Sequence, residues 1–346
     1  MLETIVNQIR KTQDITKEQL NIVLSASEDE VSCLYQAARE VSQKVYGNRI
    51  YIRGLIEFSN YCKNNCYYCG IRLDNRKVCR FRLSREEILS CCKKGYALGF
   101  RTFVLQSGED NYYSDDRMVS IIQEIRENYP DCAITLSIGE RSREAYERFY
   151  KAGANRYLLR HETANKEHYQ SLHPEGMSWE NRLECLKNLK DIGYQVGCGF
   201  MVGSPNQTID TLYEDLQLIR CLRPHMVGIG PFMPQKDTPF GQETAGSLSR
   251  TLRLLSILRL LIPELLLPAT TALGSLDPKG RSLGILSGAN VVMPNLSPEE
   301  VRDKYALYDN KKSIAAEAAE GLEELRQEVQ ALGYCIVEDR GDSLVE

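Results

Sequence analysis

The chain of 346 residues has no apolar run long enough to span a membrane. Its nearest candidate, residues 254–267, is broken by Ser256, Arg259, Pro263 and Glu264 and falls short of the roughly 18 uninterrupted residues a span requires. It also lacks a basic run of the kind that leaves a nucleic-acid footprint, and 43 Lys and Arg against 47 Asp and Glu give a net charge of −4. Neither a membrane nor a nucleic acid is therefore an expected partner. With no signal peptide at its start, its 12 cysteines are expected as free thiols in a reducing cytoplasm. Cys33, Cys91, Cys92, Cys185 and Cys221 fall in helix-like segments, where a cysteine serves as a small core hydrophobe. There is no low-complexity segment, and no histidine pair has metal-ligand spacing.

What is present is Cys62-Lys63-Asn64-Asn65-Cys66-Tyr67-Tyr68-Cys69-Gly70. Three thiolates so close in sequence converge on one small centre only if the backbone wraps round it as a loop. A zinc site would need a fourth nearby ligand, and neither Cys79 nor His161 stands at finger-like spacing. Iron–sulfur clusters usually take four thiolates, so a three-cysteine loop leaves one iron open to a non-protein ligand. The pattern C-x3-C-x2-C with an aromatic before its last cysteine, at Cys62, Cys66, Tyr68 and Cys69, resembles the signature of radical S-adenosylmethionine (SAM) enzymes.

Around this loop the chain alternates. Residues 1–47 read as an amphipathic helical extension, with capping boxes at Thr16-x-x-Gln19 and Ser27-x-x-Glu30 and a stop at Gly47. Strand-like runs follow at 50–58, 102–108, 133–139, 156–162, 195–203, 225–232, 265–273 and 289–295. Helical patterns separate them, among others at 114–128, 141–152, 178–192, 208–222, 248–261 and 297–307. Eight alternations over about 250 residues predict an α/β fold, a (β/α)8 TIM-type barrel, across 48–310. A second helical extension, 311–346, carries Ile314, Ala318, Leu322, Leu325, Val329 and Leu332 on one face and packs on the barrel's outside.

In such a barrel the C-terminal strand ends build the site. Strand one delivers the Cys loop there. Strand two ends Gln106-Ser107-Gly108-Glu109-Asp110, where the glycine admits a close ligand and Glu109 suits an ammonium. Ser107-Gly108-Glu109 resembles the Gly-Gly-Glu-like motif with which radical SAM proteins hold the SAM amino group. Alternation along strand four puts Arg160 and Glu162 on one face, and the next helix brings Arg182, able to grip a carboxylate. Glu162 is accordingly expected on the SAM ribose or ammonium and Arg182 on its carboxylate. Thr270 and Thr271 from strand seven, with Arg53 and Thr135 from strands one and three, are donors for a polar or anionic substrate. A solvated loop acid, a structural Arg–Glu pair and threonines chosen for β-propensity are the plainer alternatives. His161 and His173 read as structural.

The stretches Ile52-Arg53-Gly54-Leu55-Ile56-Glu57-Phe58-Ser59-Asn60, Val104-Leu105-Gln106-Ser107-Gly108-Glu109-Asp110, Arg156-Tyr157-Leu158-Leu159-Arg160-His161-Glu162-Thr163-Ala164-Asn165, Met226-Val227-Gly228-Ile229-Gly230-Pro231-Phe232 and Pro268-Ala269-Thr270-Thr271-Ala272 occur in that order. Together they resemble the HydE family, the radical SAM maturases of FeFe-hydrogenase. The resemblance implies one 4Fe-4S cluster on Cys62, Cys66 and Cys69, and SAM contacted by Tyr68, Gln106, Ser107, Gly108, Glu109, Ser137, Glu162, Arg182 and Ile229. It implies cleavage of SAM to methionine and a 5′-deoxyadenosyl radical. The implied substrate is a cysteine-bound iron carbonyl cyanide complex made by HydG, its product passing to HydF, in a cavity bordered by Arg53, Gln106, Thr135, Arg160, Thr270, Thr271 and Tyr305. A ferredoxin or flavodoxin would supply the electron. A second, C-terminal cluster found in some members is not expected, because Cys335 alone follows Leu307.

Two rivals share the architecture, biotin synthase and a methylornithine synthase-like mutase acting on an amino acid. Biotin synthase needs further strand cysteines, and Cys198 lies one step from where a ligand would stand, on the opposite face of its strand. A non-catalytic iron–sulfur scaffold is the third alternative.

Overall fold

Polar residues placed just ahead of apolar helical faces set where the helices begin. In the computed structural model, which describes residues 1–309, 311 and 319–345, the side chains of Thr16, Ser27 and Ser84 cap the helices Lys17–Ser25, Glu28–Tyr46 and Arg85–Ala97 as full capping boxes. Each satisfies two N–H groups that the first helical turn leaves without partners. The helix Leu248–Leu261 is buried on all its faces because the N-terminal helices cover its outer side. Each fully buried leucine there contributes about 2 kcal/mol. Arg253, inside that contact, donates to the carbonyls of Val23, Leu24 and Ala26 and pairs with Glu28.

The strands are β1 (Arg49–Ile52), β2 (Gly54–Ser59), β3 (Thr102–Ser107), β4 (Ala133–Ser137), β5 (Arg156–Leu158), β6 (Gln195–Cys198), β7 (Met201–Val202), β8 (Met226–Val227), β9 (Gly230–Pro231), β10 (Val291–Val292) and β11 (Cys335–Val337). Six of them run parallel in the order β2-β3-β4-β5-β6-β8. Single bridges carry the ring on, from Met226 to Leu266, from Pro268 to Val291 and from Asn295 to Leu55, and so return it to β2. The result is a closed α/β barrel of eight positions with helices outside.

Several elements differ from their sequence reading. The first expected strand breaks at Arg53 into β1 and β2, and the fifth and sixth are likewise interrupted, at Gly199 and Gly228. The seventh, expected through residue 273, keeps only its two bridges, and Thr271–Leu276 is a helix with Thr270 at its N-cap. The run 297–307 contains only the helical turn Glu299–Arg302. Of the C-terminal extension, residues 312–318 lie outside the described residues. Ala319–Gly321 is a 3-10 turn and Leu322–Ala331 a helix. That extension is not helical throughout: β11 pairs parallel with β1, opposite β10. The tail then crosses the lower end of the barrel, where the Arg340 carbonyl accepts from Thr102 and Arg156, and Asp342 pairs with Arg156 at 2.6 Å. Among the described residues no helix is long and apolar enough to cross a membrane.

Candidate functional site

The Cys loop follows β2 at the upper rim, wrapped round an arginine that sequence reasoning passed over. Arg80 donates to the carbonyls of Asn60, Ile71, Arg72 and Asn75, so one guanidinium gathers backbone from both sides of the three cysteines. The Asn60 amide ties the same loop to the Cys79 and Lys304 carbonyls. Burial pushes the Cys69 thiol up to about 12 and raises Cys66 and Cys62, the neighbouring cysteines adding repulsion at Cys66. Thiols crowded this way favour a cationic centre, which would stabilise their thiolates. Among the described residues no three His, Cys, Asp or Glu side chains converge on a single-ion position. A cluster makes a different demand, since each thiolate takes its own iron and the sulfurs stand apart.

Gly108 brings the second rim loop against the first. A Cβ there would stand 2.3 Å from the Tyr61 carbonyl oxygen and 2.7 Å from Cys62 Cβ, so only glycine permits the approach. Glu109, 8% exposed, is thereby set beside the Cys loop. Its Oε2 lies 3.1 Å from Lys63 Nζ, and its Oε1 accepts the Glu140 main-chain N–H at 3.0 Å. Gln106 and Ser137 are register partners at the ends of β3 and β4, and the Ser107 hydroxyl turns back to the Gly108 carbonyl.

Past the end of β5 the chain turns sharply at Glu162, whose φ of +64 lies in a region costly for residues other than glycine. Its N–H donates to the Gly199 carbonyl, while its buried Oε2 makes no hydrogen bond among the described residues and stands 3.5 Å from Arg160 Nη2. His161 and Asp215 lie 3.3 Å apart behind it, fully buried, and Asp215 accepts the Ala164 N–H at 2.6 Å. Through these bonds, and the Gly199 N–H that His161 Nδ1 accepts at 3.3 Å, they hold the turn.

Arg182 is buried on the helix Trp179–Ile192, its Nε 2.5 Å from Glu140 Oε1 and its Nη1 donating to the Arg160 carbonyl. Burial alone would lower its pKa, but nearby Tyr169 and Glu140 hold it above the ordinary arginine value. Tyr68 donates its hydroxyl to His173 Nε2, because Nδ1 of that ring must carry the proton it gives to the Tyr169 carbonyl. Burial pushes His173 down to about 3, so it orients Tyr68 as a neutral ring.

The structure brings Cys62, Cys66, Cys69, Tyr68, Glu162 and Arg182 into one charge environment. Tyr305 joins them: it is buried and stands close to Gln106, Cys69 and Cys62. Beside it are three polar groups the sequence reading did not assign. Glu57, 1% exposed on β2, pairs with Lys311 at 2.5 Å and accepts from Asn295, while Lys311 sits 4.9 Å over the Tyr305 ring. A carboxylate inside an otherwise apolar strand was the signal available.

The remaining expected substrate contacts do not share one chamber. Arg53 and Thr135 line a small cleft with Arg156, His225 and Met226. Register puts Thr135 opposite Arg156, two residues below Ser137, and the Arg53 guanidinium turns to the Gly341 carbonyl of the tail. Thr270 and Thr271 line a separate small cleft with Arg281 and Met293. The break at Arg53 sends its side chain toward the tail instead of the rim. Ile229 is buried in the main core between β8 and β9.

Residues 56–219 match the model of the radical SAM superfamily. The chain is 45% identical over 300 residues to the FeFe-hydrogenase maturase subunit HydE of Thermotoga maritima, covering 86% of this chain and 85% of that one. It is 33% identical to the 3-methylornithine synthase of Methanosarcina acetivorans, over 85% of this chain and 83% of that one. A crystal structure of methylornithine synthase superposes with a TM-score of 0.86 at 29% identity, over 96% of this chain and 97% of that one.

Proposed function

The chain belongs to the radical SAM superfamily and, within it, to the HydE family, and we propose that it acts in FeFe-hydrogenase maturation on a small cysteine-bound iron carbonyl cyanide complex. It is a radical SAM enzyme, a family whose members take an iron–sulfur cluster and SAM. One 4Fe-4S cluster on Cys62, Cys66 and Cys69 fits the crowded thiols of the loop, and SAM fits the groups facing it. Bound there, cluster and SAM would supply reductive cleavage of SAM to methionine and a 5′-deoxyadenosyl radical. The observation that carries this assignment is the packing of Glu109 against the Cys loop, with Arg182 and Glu162 completing the rim.

The residues divide the work. Glu109 offers a carboxylate oxygen to the SAM ammonium and Arg182 a guanidinium to its carboxylate, while Glu162 accepts from the ribose. Together they would hold SAM in one orientation, an entropic contribution that needs no proton transfer. Arg160 and Tyr305 hold the substrate at the rim, Thr270 and Thr271 border a separate cleft, and Arg53 and Thr135, at the end closed by the tail, are not among the contacts. The reading takes residues 48–310 as the barrel domain, with extensions at 1–47 and 311–346. It takes the cytoplasm as the location, HydG as the supplier of substrate, HydF as the recipient of product and a ferredoxin or flavodoxin as the electron donor.

The likeness to methylornithine synthase supports a second reading, a mutase acting on an amino acid. One experiment separates the two. Apo-hydrogenase is incubated anaerobically with HydF, the iron–cysteine product of HydG, SAM and a reductant, with or without the reconstituted chain. Hydrogenase activity that requires the chain and is lost in Cys66→Ala is the expected result. Cleavage of SAM without rescue of hydrogenase would discard the maturase reading and turn the search to amino-acid substrates.

A further inference from the structure

Glu109 and Arg182 are supplied by different elements, the loop after β3 and the helix Trp179–Ile192. A ligand that bridges them through an amino-acid group requires their spacing to be fixed to a fraction of an ångström. One residue touches both. The Glu140 main-chain N–H donates to Glu109 Oε1 at 3.0 Å, and its side-chain Oε1 accepts from Arg182 Nε at 2.5 Å. Its Oε2 accepts from Asn181 Nδ2 at 2.5 Å, so both carboxylate oxygens are engaged. Gly139 just before it has a φ of +76, and a Cβ there would stand 2.1 Å from Glu109 Cγ, which presses this backbone against the Glu109 side chain. Arg182 Nη1 is taken by the Arg160 carbonyl, and Nη2 has no hydrogen bond to the described residues.

From this geometry we infer that Glu140 is a positioning residue for the methionyl end of SAM, an inference that rests on the reading of the site given above. Its backbone sets the ammonium acceptor, its side chain sets the carboxylate donor, and it touches no ligand itself. A buried guanidinium deprived of Glu140 keeps its bond to the Arg160 carbonyl but loses the partner that fixes Nε. Its plane is then free to turn about that one remaining bond, and its aim at the ligand is no longer set. Glu140→Gln keeps an oxygen for Nε and holds the aim, whereas Glu140→Ala releases it.

The test compares two ligands on the cluster-reconstituted protein, SAM and decarboxylated SAM, by equilibrium binding without turnover. In Glu140→Ala the affinity for SAM is expected to fall by about tenfold, the usual cost of removing a group that orients a ligand-binding side chain. Affinity for decarboxylated SAM should change by less than about twofold, because that ligand has no carboxylate for Arg182 to hold. Glu140→Gln should stay within about threefold of the parent for both ligands. Equal weakening of both ligands by the alanine variant would mean general damage and would overturn the role of Glu140, as would undiminished SAM binding. Should Glu140→Ala fail to take up a cluster, Asn181→Ala, which frees one oxygen of Glu140, carries the same comparison, and equal effects on the two ligands again refute the proposal. Failure of the parent protein to bind SAM at all would sink the reading of the site itself.

Discussion

Arg156 and Arg160 stand four residues apart on one face of the β5 segment, and they meet opposite fates. At the lower end Arg156 donates to Gln195, Thr102, the Arg340 carbonyl and Asp342, all within 3.1 Å. At the upper end Arg160 Nε and Nη2 have no hydrogen bonds among the described residues, and Glu162 stands 3.5 Å off. The tail completes one end of the barrel from the chain's own sequence. The other keeps buried donors and acceptors open, a cost of about 1–3 kcal/mol per group that a fold tolerates where a ligand completes them. On the proposed reading the lower arginine belongs to stability and the upper one to binding.

Breaking the lower end should give the largest effect on folding. Arg156→Met leaves Asp342 without its cation and Gln195 Oε1, Thr102 Oγ1 and the Arg340 carbonyl without its N–H groups, and it should cost about 2–3 kcal/mol of unfolding free energy in a guanidinium titration. SAM cleavage per folded molecule should stay near the parent's. If stability were unchanged, the tail would not be a seal, and the contrast between the two ends would collapse.

The reciprocal variant at the upper end tests the other half. Arg160→Met removes donors that make no hydrogen bond among the described residues and only the long 3.5 Å ion pair to Glu162, so the unfolding free energy should move by about 1 kcal/mol at most. Turnover of the maturation substrate should nevertheless fall by about a hundredfold, equivalent to about 2.7 kcal/mol of transition-state stabilisation. Uncoupled SAM cleavage should persist. A variant that loses stability and retains turnover would reverse the assignment of the two arginines.

The sequence shows how far this difference can be seen without coordinates. The barrel was legible because eight strand–helix alternations leave few other topologies, and the Cys loop because its spacing is tight. Glu109, Glu162 and Arg182 could be found because they sit at strand ends or on the helix that follows. Arg53 and Thr135 looked equivalent to them, since period-two alternation says which face a residue takes and nothing about its height in the barrel. Height depends on register, which puts Thr135 level with Arg156. Glu140 was missed because half of its role is an N–H, which any residue carries. The pairing of β11 with β1 was missed because three residues give no periodicity, and the seventh strand was overextended because apolar runs do not reveal where a helix begins.

Glu162 offers a smaller and more specific test of the upper end. It holds a φ of +64 and a buried carboxylate oxygen without a hydrogen bond. Glu162→Asn puts a residue that adopts this conformation readily in its place and removes the buried charge. It should raise the unfolding free energy by about 1 kcal/mol while weakening SAM binding about tenfold. Gain of stability with loss of affinity is the behaviour of a residue kept strained for its ligand. Loss of both would make Glu162 part of the frame.

The smallest expected effect returns to the tail, and it depends on pH. Burial alone would raise the Asp342 carboxyl, but the hydrogen bond and charge of Arg156, with Arg340 beside it, outweigh burial and hold its pKa below the usual 3.8. A carboxylate depressed in the folded state stabilises the fold above its ordinary value, and that contribution is lost as pH falls through the lower, folded value. Because the side chain remains 44% exposed, solvent screening reduces the contribution to under about 1 kcal/mol. Asp342→Asn should therefore melt roughly 2 °C below the parent at neutral pH, and the two curves should converge as pH drops below about 4. High salt should narrow the gap at neutral pH as well, because a half-exposed pair is open to screening. A gap that stays constant from neutral to acid pH would mean that Asp342 holds the tail through hydrogen bonding alone, with its charge contributing nothing to the seal at the lower end.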